Sequence, residues 1–170
     1  MTVILIDGPS GSGKTALALR MQAGWVGADV PALIHLDDVY PGWDGLEAAS
    51  RELTEDVLRP FRAARPGTAG DGPGPRWRRY DWESGRPAEW HAVDPSRPLI
   101  VEGCGALSRA NAELADLTVW VEADDRERKR RALARDGDLY AREWDRWEAQ
   151  WRGFVAREDP RSLATMVVET

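Results

Sequence analysis

Val3-Ile4-Leu5-Ile6-Asp7 runs directly into Gly8-Pro9-Ser10-Gly11-Ser12-Gly13-Lys14-Thr15, and a stretch rich in Ala and Leu follows to Ala23. The first five residues form an apolar run ending in an acid, the signature of a parallel strand covered on both faces. The next eight match G-x-x-x-x-G-K-[ST] in full, and they stand where that motif must stand, between a strand and a helix. The glycines let the backbone turn tightly, so that successive N–H groups face phosphate oxygens. The start of the helix adds its partial positive charge. In such a loop Lys14 reaches the β- and γ-phosphates, and the Thr15 hydroxyl ligates Mg²⁺. The nucleotide-binding set is therefore Gly8, Ser10, Gly11, Ser12, Gly13, Lys14 and Thr15.

Outward from this loop, further elements alternate. Val30 to Leu36 reads as a second strand ending in Asp37-Asp38, and Leu46 to Ala64 as a helix with Leu46, Leu53, Val57 and Phe61 on one face. Leu99 to Val101, Leu117 to Val121 and Thr165 to Val168 read as strands. Asp125 to Arg135 and Leu139 to Arg157 read as helices, the first very basic. Strands alternating with helices predict a three-layer α/β fold of the P-loop type, a parallel sheet with helices on both faces. At 170 residues the chain is expected to be one domain spanning 1–170. A Gly/Pro-rich loop is expected at about 65–76 and a lid helix at about 125–136.

Composition narrows the function classes. Lys+Arg is 23 against Asp+Glu 29, a net charge of −6, which argues against nucleic acid or an anionic membrane as the main partner. No apolar run approaches the roughly 20 residues that a membrane helix needs, and the expected location is cytoplasmic. One cysteine, Cys104, and two histidines, His35 and His91, exclude an internal disulfide and make a His-rich metal centre unsuitable. Cys104 reads as a small buried residue. Only Lys14 and Lys129 are lysines, which gives weight to a lysine in the phosphate motif.

Asp37 and Asp38 close the second strand, at the sheet edge where ligands of open α/β sheets bind. Asp37 is placed to take the proton of an attacking hydroxyl. Glu102 ends a short apolar strand and stands as a Mg²⁺ carboxylate, so the metal set is Thr15, Asp37 and Glu102. Arg128, Arg131 and Arg135, at i, i+3 and i+7, form one stripe of a helix that would close over the phosphates. Arg128 is assigned to the nucleotide; Arg131 and Arg135 join Lys14 and Asp37 in the catalytic set. Trp144, Trp147 and Trp151 form a second helical stripe, read as core or homodimer packing.

These segments resemble the uridine kinase-like branch of P-loop kinases, which includes nicotinamide riboside kinase and, more distantly, phosphoribulokinase and pantothenate kinase. The resemblance rests on Gly8 to Thr15, Asp37-Asp38-Val39-Tyr40, Trp43-Asp44-Gly45-Leu46, Tyr80-Asp81-Trp82 with Arg86, Val101-Glu102-Gly103, and Arg128, Arg131, Arg135 and Asp136, in the family's order over about 1–136. It implies Asp37 as the base, Asp44 on ribose hydroxyls, and Tyr80, Asp81, Trp82 and Arg86 along the substrate pocket. The implied reaction is ATP- and Mg²⁺-dependent phosphotransfer to a hydroxyl of a small molecule such as a nucleoside or riboside. The chain departs from the family at Val39, Trp43 and Gly45, all on the acceptor side. Two alternatives stand beside this one: a nucleotide-binding regulatory protein with little turnover, and a nucleoside monophosphate kinase using Arg76 to Arg79 as an anion site.

Overall fold

The computed structural model describes residues 1–64 and 73–170, so the Gly/Pro-rich segment expected at about 65–76 lies mostly outside the described residues. Strand β1 (Val3–Asp7) leads through the glycine-rich loop into helix α1 (Lys14–Ala23), which Gly24 ends by donating to the Arg20 carbonyl. Strand β2 (Ala32–His35) passes into a single 3₁₀ turn, Leu36–Asp38. Helices α2 (Leu46–Glu52) and α3 (Arg59–Ala63) are joined by a π-helical stretch, Leu53–Leu58. A hairpin, β3 (Arg76–Asp81) and β4 (Arg86–Ala92), precedes β5 (Leu99–Glu102). The chain continues through α4 (Arg109–Ala112), β6 (Leu117–Glu122), α5 (Asp125–Glu158), α6 (Pro160–Leu163) and β7 (Met166–Glu169).

The main sheet has the order β2-β5-β1-β6-β7 and every pairing in it is parallel. Period-2 alternation divides its side chains between two cores. Val3 and Leu5 of β1 face α2, α3 and the second half of α5, where Phe61, Trp147, Trp151 and Phe154 are buried. Ile4 and Ile6 face α1 and pack with Ala18, Leu17 and Met21. Two covered faces make the three-layer P-loop NTPase architecture that the strand–helix alternation predicts. The five strands read from sequence are all present, with ends moved by one or two residues.

One feature differs from the sequence reading. The hairpin β3–β4 was not among the expected elements; its strands pair antiparallel from Arg76 opposite Ala92 to Asp81 opposite Arg86. The two helices expected after residue 124 are both present within α5, meeting at a kink at Gly137 (φ 68°, ψ −155°). Those angles are open to glycine and closed to residues with a Cβ. Asp124 caps its start, accepting from the N–H groups of Arg126 and Glu127. The tryptophan stripe belongs to the core: Trp144, Trp147 and Trp151 are all buried within this chain. No described helix is long and apolar enough to cross a membrane.

Candidate active site

The phosphate loop is seated from below and from the side. Asp7, fully buried, accepts the N–H of Gly8 at 2.6 Å, of Gly105 at 3.1 Å and of Leu107 at 2.8 Å. It thereby ties the loop to the chain leaving β5. Burial pushes its carboxyl up to about 7 despite those three donors. Ser10 Oγ accepts from Tyr140 OH at 2.7 Å and from Trp147 Nε1 at 3.1 Å, which fastens the loop to the second half of α5. Cys104 is buried, as its sequence context suggests, and its thiol donates to the Gly8 carbonyl at 3.3 Å. Gly11 (φ 79°) lies directly under the first turn of α5; a Cβ there would stand 1.9 Å from the Arg128 carbonyl oxygen.

A cavity of about 530 Å³ opens above the loop, at the carboxyl ends of β1, β2 and β5. Lys14, Thr15, Asp37, Glu102 and Arg135 line it together. Lys14 is nearly buried; burial works against its charge, and Cys104, Glu102, Asp37 and Asp7 outweigh that and hold its pKa above the ordinary lysine value. Glu102 Oε1 accepts from Thr15 Oγ1 at 3.0 Å and faces His35 Nδ1 at 2.6 Å. Burial raises the Glu102 carboxyl, but the His35 hydrogen bond and Lys14 leave it net below the usual range. Asp37 goes the other way: desolvation raises its carboxyl, with Lys14 opposing.

Two buried polar atoms have no hydrogen-bond partner among the described residues and bear on a ligand: Glu102 Oε2 and Ser12 Oγ. Orphaned polar atoms of this kind call for a partner. The first, next to Thr15, suits a Mg²⁺ ion or one of its waters. Among the described residues no three His, Cys, Asp or Glu side chains converge as a metal cage.

Other expected site residues lie elsewhere. Arg128 is buried and forms a two-pronged ion pair with Glu148, at 2.6 and 3.1 Å, plus a bond to Asp125 at 2.7 Å. Its guanidinium therefore joins the two halves of α5 and does not line the cavity. Arg131 pairs with Glu127 and donates to Thr170 Oγ1 at 3.0 Å, and Thr170 Oγ1 in turn donates to the Ser12 carbonyl at 2.8 Å. Arg131 thus reaches the loop through Thr170 and does not line the cavity. Arg135 lines the cavity, paired with Asp136 at 2.7 Å.

On the acceptor side, only Trp82 of the residues implied by the resemblance reaches the cavity, its Nε1 donating to the Asp37 carbonyl at 2.9 Å. Asp44 pairs with Arg146 on the surface. Asp81 holds the hairpin turn through Glu83 N and Ser84 Oγ, and Arg86 is exposed opposite it at the start of β4. Tyr80 packs edge-on against Trp82 and approaches Gly42. The hairpin arginines have partners of their own: Arg76 lies 4.2 Å over the Trp90 ring, Arg78 donates to the Ala88 carbonyl and Arg79 pairs with Glu89. His91 stacks on Trp77 at 4.3 Å. Sequence reasoning missed His35, Trp43, Tyr140 and Trp147 as lining residues; the His35 position, two residues before Asp37 at the end of β2, was the available signal.

No protein-family model and no curated protein matches this sequence. Solved structures do match its fold. A possible uridine kinase from Bacillus stearothermophilus superposes with a TM-score of 0.60 at 20% identity, over 98% of this chain and 88% of that one. This chain shares the three-layer α/β fold of that structure. A putative fructose transport system kinase from Silicibacter sp. matches with a TM-score of 0.53 at 17% identity, over 98% of this chain and 88% of that one. An uncharacterized protein from Eubacterium ventriosum matches with a TM-score of 0.53 at 8% identity, over 99% and 88% respectively.

Proposed function

We propose that this protein is a small-molecule kinase that moves the γ-phosphate of ATP to a hydroxyl group. The observation that carries this reading is the shared cavity of Lys14, Thr15, Asp37, Glu102 and Arg135 at the mouth of a complete phosphate loop. The loop N–H groups and Lys14 would hold the β- and γ-phosphates. Thr15 and Glu102 would hold Mg²⁺, which when bound neutralises charge on the phosphate oxygens. Asp37 would accept the hydroxyl proton as the acceptor oxygen bonds to the γ-phosphorus. The bond from that phosphorus to the bridging oxygen breaks, and ADP leaves with the electron pair. Lys14 and Arg135 counter the charge that develops. Asp37 is exposed at the cavity, where an acceptor hydroxyl can reach its carboxylate.

The test is ADP release with Mg²⁺ and ATP across nucleosides, ribosides, nucleoside monophosphates and simple alcohols. Stimulation by an acceptor, abolished by Lys14→Ala, is the expected result. Slow ATP loss that no acceptor stimulates would favour a nucleotide-dependent binding protein instead.

A further inference from the structure

The acceptor half of the cavity has an unusual wall. Five aromatic rings line it: Tyr40, Trp43, Trp82, Tyr140 and Trp147. Trp43 stacks on Tyr140 with centroids 5.4 Å apart and leans on Trp82 at 4.9 Å, while Tyr40 and Trp147 meet edge to face at 4.7 Å. The polar atoms of four of these rings are already engaged. Tyr40 OH donates to the Cys104 carbonyl at 2.8 Å, Tyr140 OH and Trp147 Nε1 to Ser10 Oγ, and Trp82 Nε1 to the Asp37 carbonyl. What these rings can offer a ligand is π surface. Only the Trp43 indole N–H, which has no partner among the described residues, is left for the carbonyl and ring-nitrogen acceptors on the edge of a nucleobase.

The charge lining the cavity is of one predominant sign. The carboxylates of Asp37, Asp38, Glu102 and Asp136 face Lys14, Arg135 and the His35 ring. Lys14 and Arg135 stand at the phosphate end, and ATP with its magnesium brings further negative charge. Asp38 is exposed at the cavity and has neither an ion pair nor a hydrogen bond among the described residues. Aromatic faces beside an unpaired carboxylate are the surroundings that a cationic nitrogen prefers.

We infer that the phosphate acceptor is a hydroxylated organic cation, an alcohol carrying a protonated amine, quaternary ammonium or pyridinium nitrogen. The inference rests on the phosphotransfer reading for its chemistry, with the hydroxyl at Asp37 and the cation between the tryptophan and tyrosine faces and Asp38. The hydroxyl oxygen forms the new bond to the γ-phosphorus, its proton goes to Asp37 and ADP departs; the cationic nitrogen takes no part in bond making.

Matched pairs that differ only in charge test it. Choline and its carbon isostere 3,3-dimethylbutan-1-ol form one pair, and 4-(hydroxymethyl)-1-methylpyridinium and 4-methylbenzyl alcohol another, with uridine as the neutral heterocycle. ADP release should favour the cation of at least one pair by tenfold or more in kcat/KM, and Asp38→Asn should cut that ratio to threefold or less. Independently of turnover, N-methylpyridinium with Mg-ADP present should quench tryptophan fluorescence saturably, and Trp43→Ala should weaken its binding by tenfold or more relative to toluene. Equal or better turnover of the neutral partners or of uridine overturns the cation assignment and leaves the kinase reading standing. Saturable cation binding without turnover of any acceptor keeps the cation site and overturns the kinase reading. Neither binding nor turnover overturns both.

Discussion

Asp7 is the residue on which the seating of the phosphate loop depends most, and the sequence shows it only as the acid at the end of an apolar run. Its three backbone donors come from two segments, so the side chain works as a clamp between the loop and the exit of β5. Its pKa is raised from 3.8 to about 7, so between those values the folded protein binds a proton that the unfolded chain has released. Stability from this group is therefore present below about pH 4 and lost as pH rises toward 7. Asp7→Asn removes the titration and turns an N–H donor toward one of the backbone donors, at a cost of about 1–3 kcal/mol. Urea unfolding should show a larger deficit of the variant against wild type at pH 5 than at pH 8. A deficit that grows with pH would contradict the clamp. Asp37 and Lys14, by contrast, were legible as residues because their positions follow from motif and strand end alone.

At the scale of elements, α5 carries most of what sequence reasoning could not resolve. Its helical periodicity and its interruption near Gly137 were readable. The partner of Arg128 was not, because Glu148 lies 20 positions further along, on the far side of the bend. A stripe of arginines on a helix looks the same whether it faces phosphate or a carboxylate of the same helix. Both members of this pair are buried, so removing Arg128 leaves the Glu148 carboxylate with only the longer bond from the exposed Arg152, at 3.2 Å. Arg128→Ala should lower unfolding free energy by about 3–5 kcal/mol. Replacing both, Arg128→Met with Glu148→Leu, should recover most of it. A loss confined to the KM for ATP, with unchanged stability, would return Arg128 to the nucleotide. The hairpin escaped notice for a different reason: its strands are half-exposed and rich in arginine, so no apolar run marks them. Its turn at Glu83-Ser84-Gly85 was the readable signal.

For the molecule as a whole, the sheet was legible because β1 and β5, buried along their whole length, are apolar up to the acid that ends each strand. Which side each helix takes was not legible, since it depends on the crossovers. Residues 119 to 121 divide between the two cores, Trp120 to one and Val119 with Val121 to the other. Phe154, at the bottom of the larger core, is 1% exposed. Phe154→Ala should cost about 3–5 kcal/mol by thermal or denaturant unfolding. A cost under about 1 kcal/mol would mean that the second half of α5 does not pack on the sheet as described. That packing matters for function, because Tyr140 and Trp147 reach the phosphate loop from this half of the helix.

In the proposed reaction Asp37 acts on the acceptor hydroxyl above a loop that binds ATP without its help. Asp37→Asn tests it most directly, by calorimetric binding of Mg-ATP and by acceptor-dependent ADP release in the same preparation. Mg-ATP affinity should stay within about threefold of wild type while turnover falls by about 10²–10⁴-fold, the range for loss of a general base. Turnover within a few-fold of wild type, or parallel loss of ATP binding and turnover, would contradict it.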